Sequence, residues 1–151
     1  MSKRSFSLFV GLLLIGSLVA AGKQKVESSK ELKPLQGTWK LVAGEIGGRK
    51  MTTEEVETSK LVFKGDHYKV RRGNGPKVTG TVAVDPAKDP KTIDITDSDG
   101  PNKGKTLLGI YAVDGNELKE CFAGPGEARP TKFATQTGTT QFFHVWKHVK
   151  D

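Results

Sequence analysis

Short segments of alternating apolar and polar residues, separated by turn-forming residues, make up most of the sequence from Gly37 onward. In the first of these segments, Trp39 and Leu41 alternate with Thr38 and Lys40, which is the period of a half-buried β-strand. Further segments of this kind follow, and glycine, asparagine or proline stands at many of the junctions. This pattern predicts an all-β domain of antiparallel strands that are joined in sequence order.

Eight strands are predicted along the chain. Their ranges are 38–46, 60–64, 67–72, 77–84, 92–96, 106–113, 117–122 and 140–149. One short helix is expected at 52–57, after the first strand region, with a threonine as its N-cap. Closure into an eight-stranded up-and-down β-barrel removes the exposed sheet edges and leaves space for packed side chains or one small ligand.

Alternation also predicts which side chains face the barrel interior. On the first strand, Trp39, Leu41 and Ala43 share one face. The full inward-facing set is Trp39, Leu41, Leu61, Phe63, Tyr68, Val70, Val82, Ile93, Ile95, Leu118 and Phe122. We expect Trp39 at the closed end of the barrel, where Gly37 permits a close approach of the backbone.

The N-terminal residues have the layout of a secretory signal peptide. Lys3 and Arg4 precede an uncharged apolar run over 6–20, and small residues follow where a signal peptidase cleaves. The run is shorter than the roughly 20 residues of a membrane-spanning helix, which favours a cleaved signal over an uncleaved anchor. The chain then divides into a signal peptide at 1–22, a flexible linker or short helix at 23–34, and a barrel domain at 35–151. The predicted location is periplasmic or extracellular.

Charge and cysteine content limit the classes of function. The 151-residue chain has a net charge of +7, which falls to +5 without Lys3 and Arg4. This excess is below the dense positive charge of a nucleic-acid-binding domain, so we expect no nucleic-acid partner. The only cysteine, Cys121, cannot form an intramolecular disulfide, and the domain must rely on its core. We expect a monomer.

Several motifs occur in the order in which a known family carries them. They are Leu35-Gln36-Gly37-Thr38-Trp39, Leu61-Val62-Phe63-Lys64-Gly65, Lys91-Thr92-Ile93-Asp94, Asp99-Gly100-Pro101-Asn102-Lys103-Gly104-Lys105-Thr106, Gly109-Ile110-Tyr111 and Cys121-Phe122-Ala123-x-Pro125-Gly126-x-x-Arg129-Pro130-Thr131. Over about residues 35–147 the chain resembles a lipocalin-like family of small exported domains, mainly from planctomycete bacteria. Gly37-Thr38-Trp39 is similar to the G-x-W motif of the lipocalin and fatty-acid-binding superfamily. The resemblance implies a lipocalin-like barrel and export, but no activity, and Glu120 stands where that family usually has an apolar residue.

No set of residues in the sequence suits catalysis, a metal or a cofactor. The loop at 97–102 clusters oxygen ligands but lacks the glycine and glutamate that an EF-hand needs, so a simple turn is favoured over a calcium site. His144 and His148 would lie about 13 Å apart on a strand, too far to share a metal ion. Cys121 is expected to be an inert small residue rather than a reactive thiol. We therefore predict a protein that is not an enzyme.

The leading functional hypothesis is a small apolar or amphipathic ligand held in the barrel. The candidate lining residues are Trp39, Phe63, Tyr68, Arg72, Ile95, Glu120 and Phe122. Glu120 shares a strand face with Leu118 and Phe122, so it either meets Arg72 or reaches water at the rim. The rim position is favoured because glutamate is rarely fully buried.

The alternative hypothesis is a structural or protein-interaction module with a filled barrel, acting through its loops or a basic face. That face consists of Lys60, Lys64, Lys69, Arg71, Arg72 and Lys77. It would attract an anionic surface or an acidic protein partner. The simpler interpretation of the same residues is a solvated surface.

Overall fold

A computed structural model of the protein describes residues 29–150. The predicted signal peptide at 1–22 and the first part of the predicted linker, 23–28, lie outside the described residues. Between residues 29 and 150, none of the helices has the length and apolar character needed to cross a membrane.

One antiparallel sheet closes on itself to form a barrel. Its strands are β1 (Gly37–Ile46), β2 (Arg49–Lys50), β3 (Lys60–Lys64), β4 (His67–Arg71), β5 (Lys77–Asp85), β6 (Thr92–Asp97), β7 (Thr106–Asp114), β8 (Glu117–Phe122) and β9 (Phe142–His148). A 3-10 helix (Lys33–Leu35) precedes β1, and helix α1 (Thr53–Glu57) lies between β2 and β3. Neighbouring strands pair in the order β2-β1-β3-β4-β5-β6-β7-β8-β9, and β1 also pairs with β9. Because β2 only extends the pairing of β1, the closed barrel has eight strands.

The predicted fold class, an eight-stranded antiparallel up-and-down barrel, is confirmed. Every predicted strand is present, and no end differs from its predicted position by more than two residues. The predicted short helix is also confirmed: Thr52 is the N-cap of α1 and forms a reciprocal capping box with Glu55. Turn residues and alternation were therefore sufficient to locate these elements.

Strand β1 departs from strict alternation. Trp39 and Leu41 are buried as predicted, but Ala43 is exposed, so the prediction that all three share one face is wrong. A β-bulge between Leu41 and Ala43 in the pairing with β9 inserts one residue and reverses the alternation. Gly44 takes the crowded position instead, since a Cβ atom there would lie 2.3 Å from Sδ of Met51.

The predicted core is confirmed, because all eleven residues of the inward-facing set are buried. The segment before β1 covers the end of the barrel where β1 begins. Leu32 and Leu35 belong to the same buried cluster, although the sequence analysis placed Leu32 in the linker. The indole Nε1 of Trp39 donates a hydrogen bond of 2.8 Å to the carbonyl oxygen of Leu35. Gly37 has a φ of +105°, and a Cβ atom on it would lie 2.6 Å from Nε2 of His148, so this close approach requires glycine.

Helix α1 lies at the opposite end, near the point where β4 ends. Val56 packs against the buried cluster. Ser59, just after the helix, accepts a 2.7 Å hydrogen bond from the backbone N–H of Gly73. Arg49 donates to both carboxylate oxygens of Glu55, at 3.0 and 2.9 Å. These contacts hold α1 beside the residues that follow β4.

Candidate functional site

The interior of the barrel is almost completely filled by side chains. Among residues 29–150, a cavity of about 10 Å³ lies in the interior, and its lining residues are Leu61, Phe63, Tyr68, Val70, Arg72, Ile95, Glu120 and Phe122. A volume of about 10–15 Å³ is what a single water molecule needs, whereas small-molecule pockets measure about 300–1,000 Å³. Six of the seven predicted lining residues meet at this cavity; Trp39 is buried too, but it does not line it. In this conformation the lumen has no room for an organic ligand.

Glu120 is buried, with only 3% of its surface exposed, so the favoured rim position is wrong. Its Oε1 accepts a 2.9 Å hydrogen bond from the indole Nε1 of Trp146. Nδ1 of His144 lies 3.5 Å from the same oxygen, which is too long for a good hydrogen bond. The other alternative, a direct pair with Arg72, is also not formed: the residues line one cavity, but no ion pair within 4 Å joins them in the described chain.

Arg72 and His144 bring polar groups into the same region, and some of these groups have no hydrogen-bond partner there. Nε of Arg72 and both ring nitrogens of His144 are buried and have no hydrogen-bond partner among the described residues. The guanidinium carbon of Arg72 lies 4.5 Å from the ring centre of Phe142, a cation–π contact. Burial lowers the pKa of Arg72, and the charge of Glu120 acts against that shift.

The imidazole of His144 is also affected by its surroundings. Burial is the largest effect and lowers the pKa of His144; the positive charge of Arg72 lowers it further, while Glu120 opposes both. His144 is therefore neutral at neutral pH. The interior thus holds the partly buried guanidinium of Arg72 and the buried carboxylate of Glu120, with the rings of Phe142, His144 and Trp146 between them rather than a direct ion pair.

The oxygen-rich loop after β6 is used by the barrel itself. The hydroxyl of Tyr68 donates a short hydrogen bond to Oδ1 of Asp97, which is buried. Asp99 accepts 2.8 Å hydrogen bonds from both the backbone N–H and the hydroxyl of Thr79. Among residues 29–150, no three His, Cys, Asp or Glu side chains are grouped so that they could hold a metal ion.

Cys121 lies under the long loop that joins β8 to β9. The side chain is fully buried, and its Sγ is 3.5 Å from the carbonyl oxygen of Ala134. Burial raises the pKa of Cys121 to about 11, so the thiol is protonated at neutral pH. Sequence reasoning missed the residue that fixes this loop: Nη1 of Arg129 is 2.5 Å from Oδ1 of Asp94 and 2.7 Å from the carbonyl oxygen of Gly109.

The outer surface of β1, β3, β4 and β5 carries a row of cations. In the strand register, Lys40 lies opposite Lys60, Lys60 opposite Arg71, and Arg71 opposite Lys77. The analysis of the sequence missed Lys40, because it is remote along the chain and joins the row only through strand pairing. It also assigned Arg72 to the basic face, which is wrong, because Arg72 follows the end of β4 and lines the interior cavity.

This row borders a groove of about 340 Å³, which we call the basic groove; its lining residues are Lys40, Glu57, Thr58, Ser59, Lys60, Val62, Lys69, Arg71 and Lys77. A second groove of about 360 Å³ continues along the strands and shares Val62 and Lys69 with the first. The second groove adds Lys64 and His67. Within the described chain, no carboxylate oxygen lies within 4 Å of the amino or guanidinium groups of the five cations in the basic groove.

No protein-family model matches the chain, and no curated protein or solved structure matches it either. The resemblance to the lipocalin-like family therefore stays a prediction from the motifs. Function has to be inferred from the filled interior and from the basic groove.

Proposed function

We propose that the protein is an exported, lipocalin-like binding module that is not an enzyme and that binds an anionic partner through the basic groove. The proposal takes up the alternative hypothesis of a filled barrel acting through its basic face. Export and family membership rest on the sequence motifs, and the closed eight-stranded barrel is the fold that the lipocalin-like resemblance implies.

The volumes of the two candidate sites favour the outer surface over the lumen. The interior cavity of about 10 Å³ is surrounded by side chains that pack against one another. The basic groove offers about 340 Å³. A lumen ligand would require a large rearrangement of the core, whereas a partner in the basic groove requires none.

The row of opposed cations is the single observation that carries the proposal. Like charges directly opposite one another on neighbouring strands destabilise a sheet, by up to about 1 kcal/mol per pair before screening by salt. Lys40, Lys60, Arg71 and Lys77 form consecutive pairs of this kind. An anionic partner relieves this repulsion, so binding gains both the new ion pairs and the removal of an existing cost.

An ordinary solvated face is the simpler interpretation, and the rest of the barrel shows what such a face looks like. Four cations elsewhere have a carboxylate within 4 Å, in the pairs Arg49–Glu55, Lys119–Glu117, Lys147–Glu117 and Arg129–Asp94, while others in the described chain, such as Lys91, Lys103 and Lys132, have none. The basic groove has five cations and one carboxylate, Glu57. The cations that line the groove thus exceed its carboxylates by four.

Two variants with the same net charge test the proposal. The groove variant replaces Lys60, Arg71 and Lys77 by glutamine, and the control variant replaces Lys91, Lys103 and Lys132, which are exposed and lie outside the basic groove. Binding is measured on immobilised heparin, on polyglutamate and on vesicles that contain phosphatidylglycerol. We expect the protein to bind at least one of these probes at low salt, the groove variant to lose that binding, and the control variant to keep it.

Equal weakening in the two variants would mean that only net charge matters, and the proposal would fail. It would also fail if the unmodified protein bound none of the three probes. Native mass spectrometry of protein purified from its source tests the lumen hypothesis separately, because a retained small molecule would show that the interior opens.

A further inference from the structure

The geometry of the basic groove also specifies the shape of its occupant. We infer that the occupant is a linear, acidic polysaccharide that crosses the strands and pairs with Lys40, Lys60, Arg71 and Lys77 in turn; this inference rests on the proposed function. The spacing of the cations, the ends of the row, the depth of the groove and its chemistry all favour this occupant.

The cations are evenly spaced along a line. Each lies directly opposite the next on the neighbouring strand, and neighbouring strands are about 4.7–4.9 Å apart. Four strands therefore place the row over about 14–15 Å, perpendicular to the strands. A single phosphate or carboxylate reaches two of these side chains at most. A chain that carries regularly repeated anionic groups can meet all four.

The row has defined ends. Beyond Lys40, the next residue in register is Lys147 on β9, but its amino group already has a carboxylate partner, since it lies 2.9 Å from Oε2 of Glu117. Beyond Lys77, the pairing of β5 with β6 begins only at Gly80, and the next outward residue of β5, Thr79, is hydrogen-bonded to the carboxylate of Asp99. The unbalanced charge thus extends over four strands and stops on both sides.

The cations border a recess rather than a flat surface. Glu57, Thr58 and Ser59, at the end of α1 and just after it, line the basic groove together with the strand residues. A chain can lie in such a recess, whereas a bilayer surface meets only the side chains that project from it. The recess therefore favours a polymer chain over an anionic membrane.

The floor of the groove suits sugar rings better than nucleic-acid bases. The outward residues of β3, β4 and β5 are Lys60, Val62, Lys64, His67, Lys69, Arg71, Lys77, Thr79, Thr81, Ala83 and Asp85, with no Phe, Tyr or Trp among them. Proteins that bind single-stranded nucleic acid without sequence preference stack the bases on aromatic side chains. Val62 and the aliphatic stems of the lysines instead offer a narrow apolar strip for sugar rings, and the charged ends lie beside carboxylate or sulfate groups.

The test uses isothermal titration of the purified protein with heparin-derived oligosaccharides from the disaccharide to the dodecasaccharide. We expect the affinity per molecule to rise steeply with length until the oligosaccharide spans the row, and then only slowly. Neutralising Lys60, Arg71 and Lys77 together should reduce the affinity of the spanning oligosaccharide at least tenfold. Glu57→Gln should raise it about two- to threefold, since it removes the one opposing carboxylate, and the control variant at Lys91, Lys103 and Lys132 should leave it unchanged.

Salt dependence gives a second readout. Each ion pair with a nucleic acid contributes about 0.7–0.9 to the slope of log K against log salt. With the same value for the polysaccharide, four pairs predict a slope of about −3, and each single substitution in the row should reduce the slope by nearly one. The groove variant should fold with an unchanged or slightly higher Tm, because it removes like-charge pairs.

Three competitors separate this inference from the proposed function: polyglutamate, an oligothymidylate of matched charge, and phosphatidylglycerol vesicles. If one of them binds through the basic groove more tightly than the oligosaccharide, the inference is overturned and the proposed function stands. An affinity that does not depend on oligosaccharide length also overturns the inference alone. If no anionic probe binds, or if the control variant weakens as much as the groove variant, both fail.

Discussion

Replacing Glu120 by leucine should destabilise the barrel by about 3 kcal/mol, although leucine is the more natural residue for a core. Glu120 is buried, accepts a hydrogen bond from Trp146, and shares its cavity with Arg72. Removing one partner of a directly paired buried ion pair costs about 3–5 kcal/mol, because the other charge is left uncompensated. Glu120 and Arg72 share a cavity without a direct pair, so this range is an upper limit for the charge contribution. Arg72 is partly exposed as a whole residue, while its Nε is buried, so we expect the lower end of that range.

A double-mutant cycle in urea isolates the charge contribution. Glu120→Gln keeps an acceptor for the indole N–H of Trp146 and removes only the charge, so it should cost less than Glu120→Leu by the value of one buried hydrogen bond, about 1–3 kcal/mol. Combining Glu120→Leu with Arg72→Met removes both charges, and we expect it to recover at least 1 kcal/mol relative to the sum of the single losses. The reasoning is refuted if Glu120→Leu leaves the free energy of unfolding unchanged, or if the two single effects simply add.

Three further predictions concern the interior. Because burial lowers the pKa of His144 below its ordinary value of 6.5, the unfolded chain binds more protons than the folded chain, and the free energy of unfolding should fall as the pH drops below about 6.5. In urea titrations between pH 7 and 5, His144→Phe should show a weaker dependence of the free energy of unfolding on pH. An unchanged pH dependence would contradict the burial effect. Trp39→Ala should cost about 3–5 kcal/mol by chemical denaturation, against less than about 0.5 kcal/mol for exposed Val42→Ala, and a small loss at Trp39 would mean that its ring is not an anchor. Cys121 should not react with Ellman's reagent at pH 8 until the protein is unfolded, since burial raises the pKa of the thiol to about 11. Rapid labelling of the folded protein would instead show that the loop over Cys121 opens.

The strands could be predicted because each carries its own signal. Alternation and turn residues located all eight, and the inward-facing residues followed from the same period. The exception, Ala43, depends on a bulge in the pairing of β1 with β9. A bulge is one extra residue in one strand, and nothing in the local alternation marks where it will be placed.

The candidate sites depended on register, which a single sequence does not reveal. Alternation placed Glu120 on the core face correctly, but the general scarcity of buried glutamate favoured the rim. Its actual neighbours, His144 and Trp146, come from β9 and meet it only because β8 and β9 pair at Glu120–His144 and Leu118–Trp146. Lys40 joins the cationic row for the same reason, through its pairing with Lys60.

Two interpretations of Arg72 were in conflict, and only the structure decides between them. Charge placed it with its neighbour Arg71 on the basic face, while alternation with Tyr68 and Val70 placed it inside. Arg71 is exposed and Arg72 lines the interior cavity. The period of the strand, which reflects the geometry of the backbone, was the better guide than the clustering of charge along the sequence.

The most direct test of the proposed function is a titration followed by ¹H–¹⁵N correlation spectra, with a heparin-derived oligosaccharide long enough to span the row. We expect the largest amide shift changes at Lys40, Lys60, Arg71 and Lys77, and little change at Lys91 and Lys103 on other parts of the barrel. Changes centred on the interior, at Glu120 and Phe122, or an absence of changes at low salt, would contradict a function carried by the basic groove.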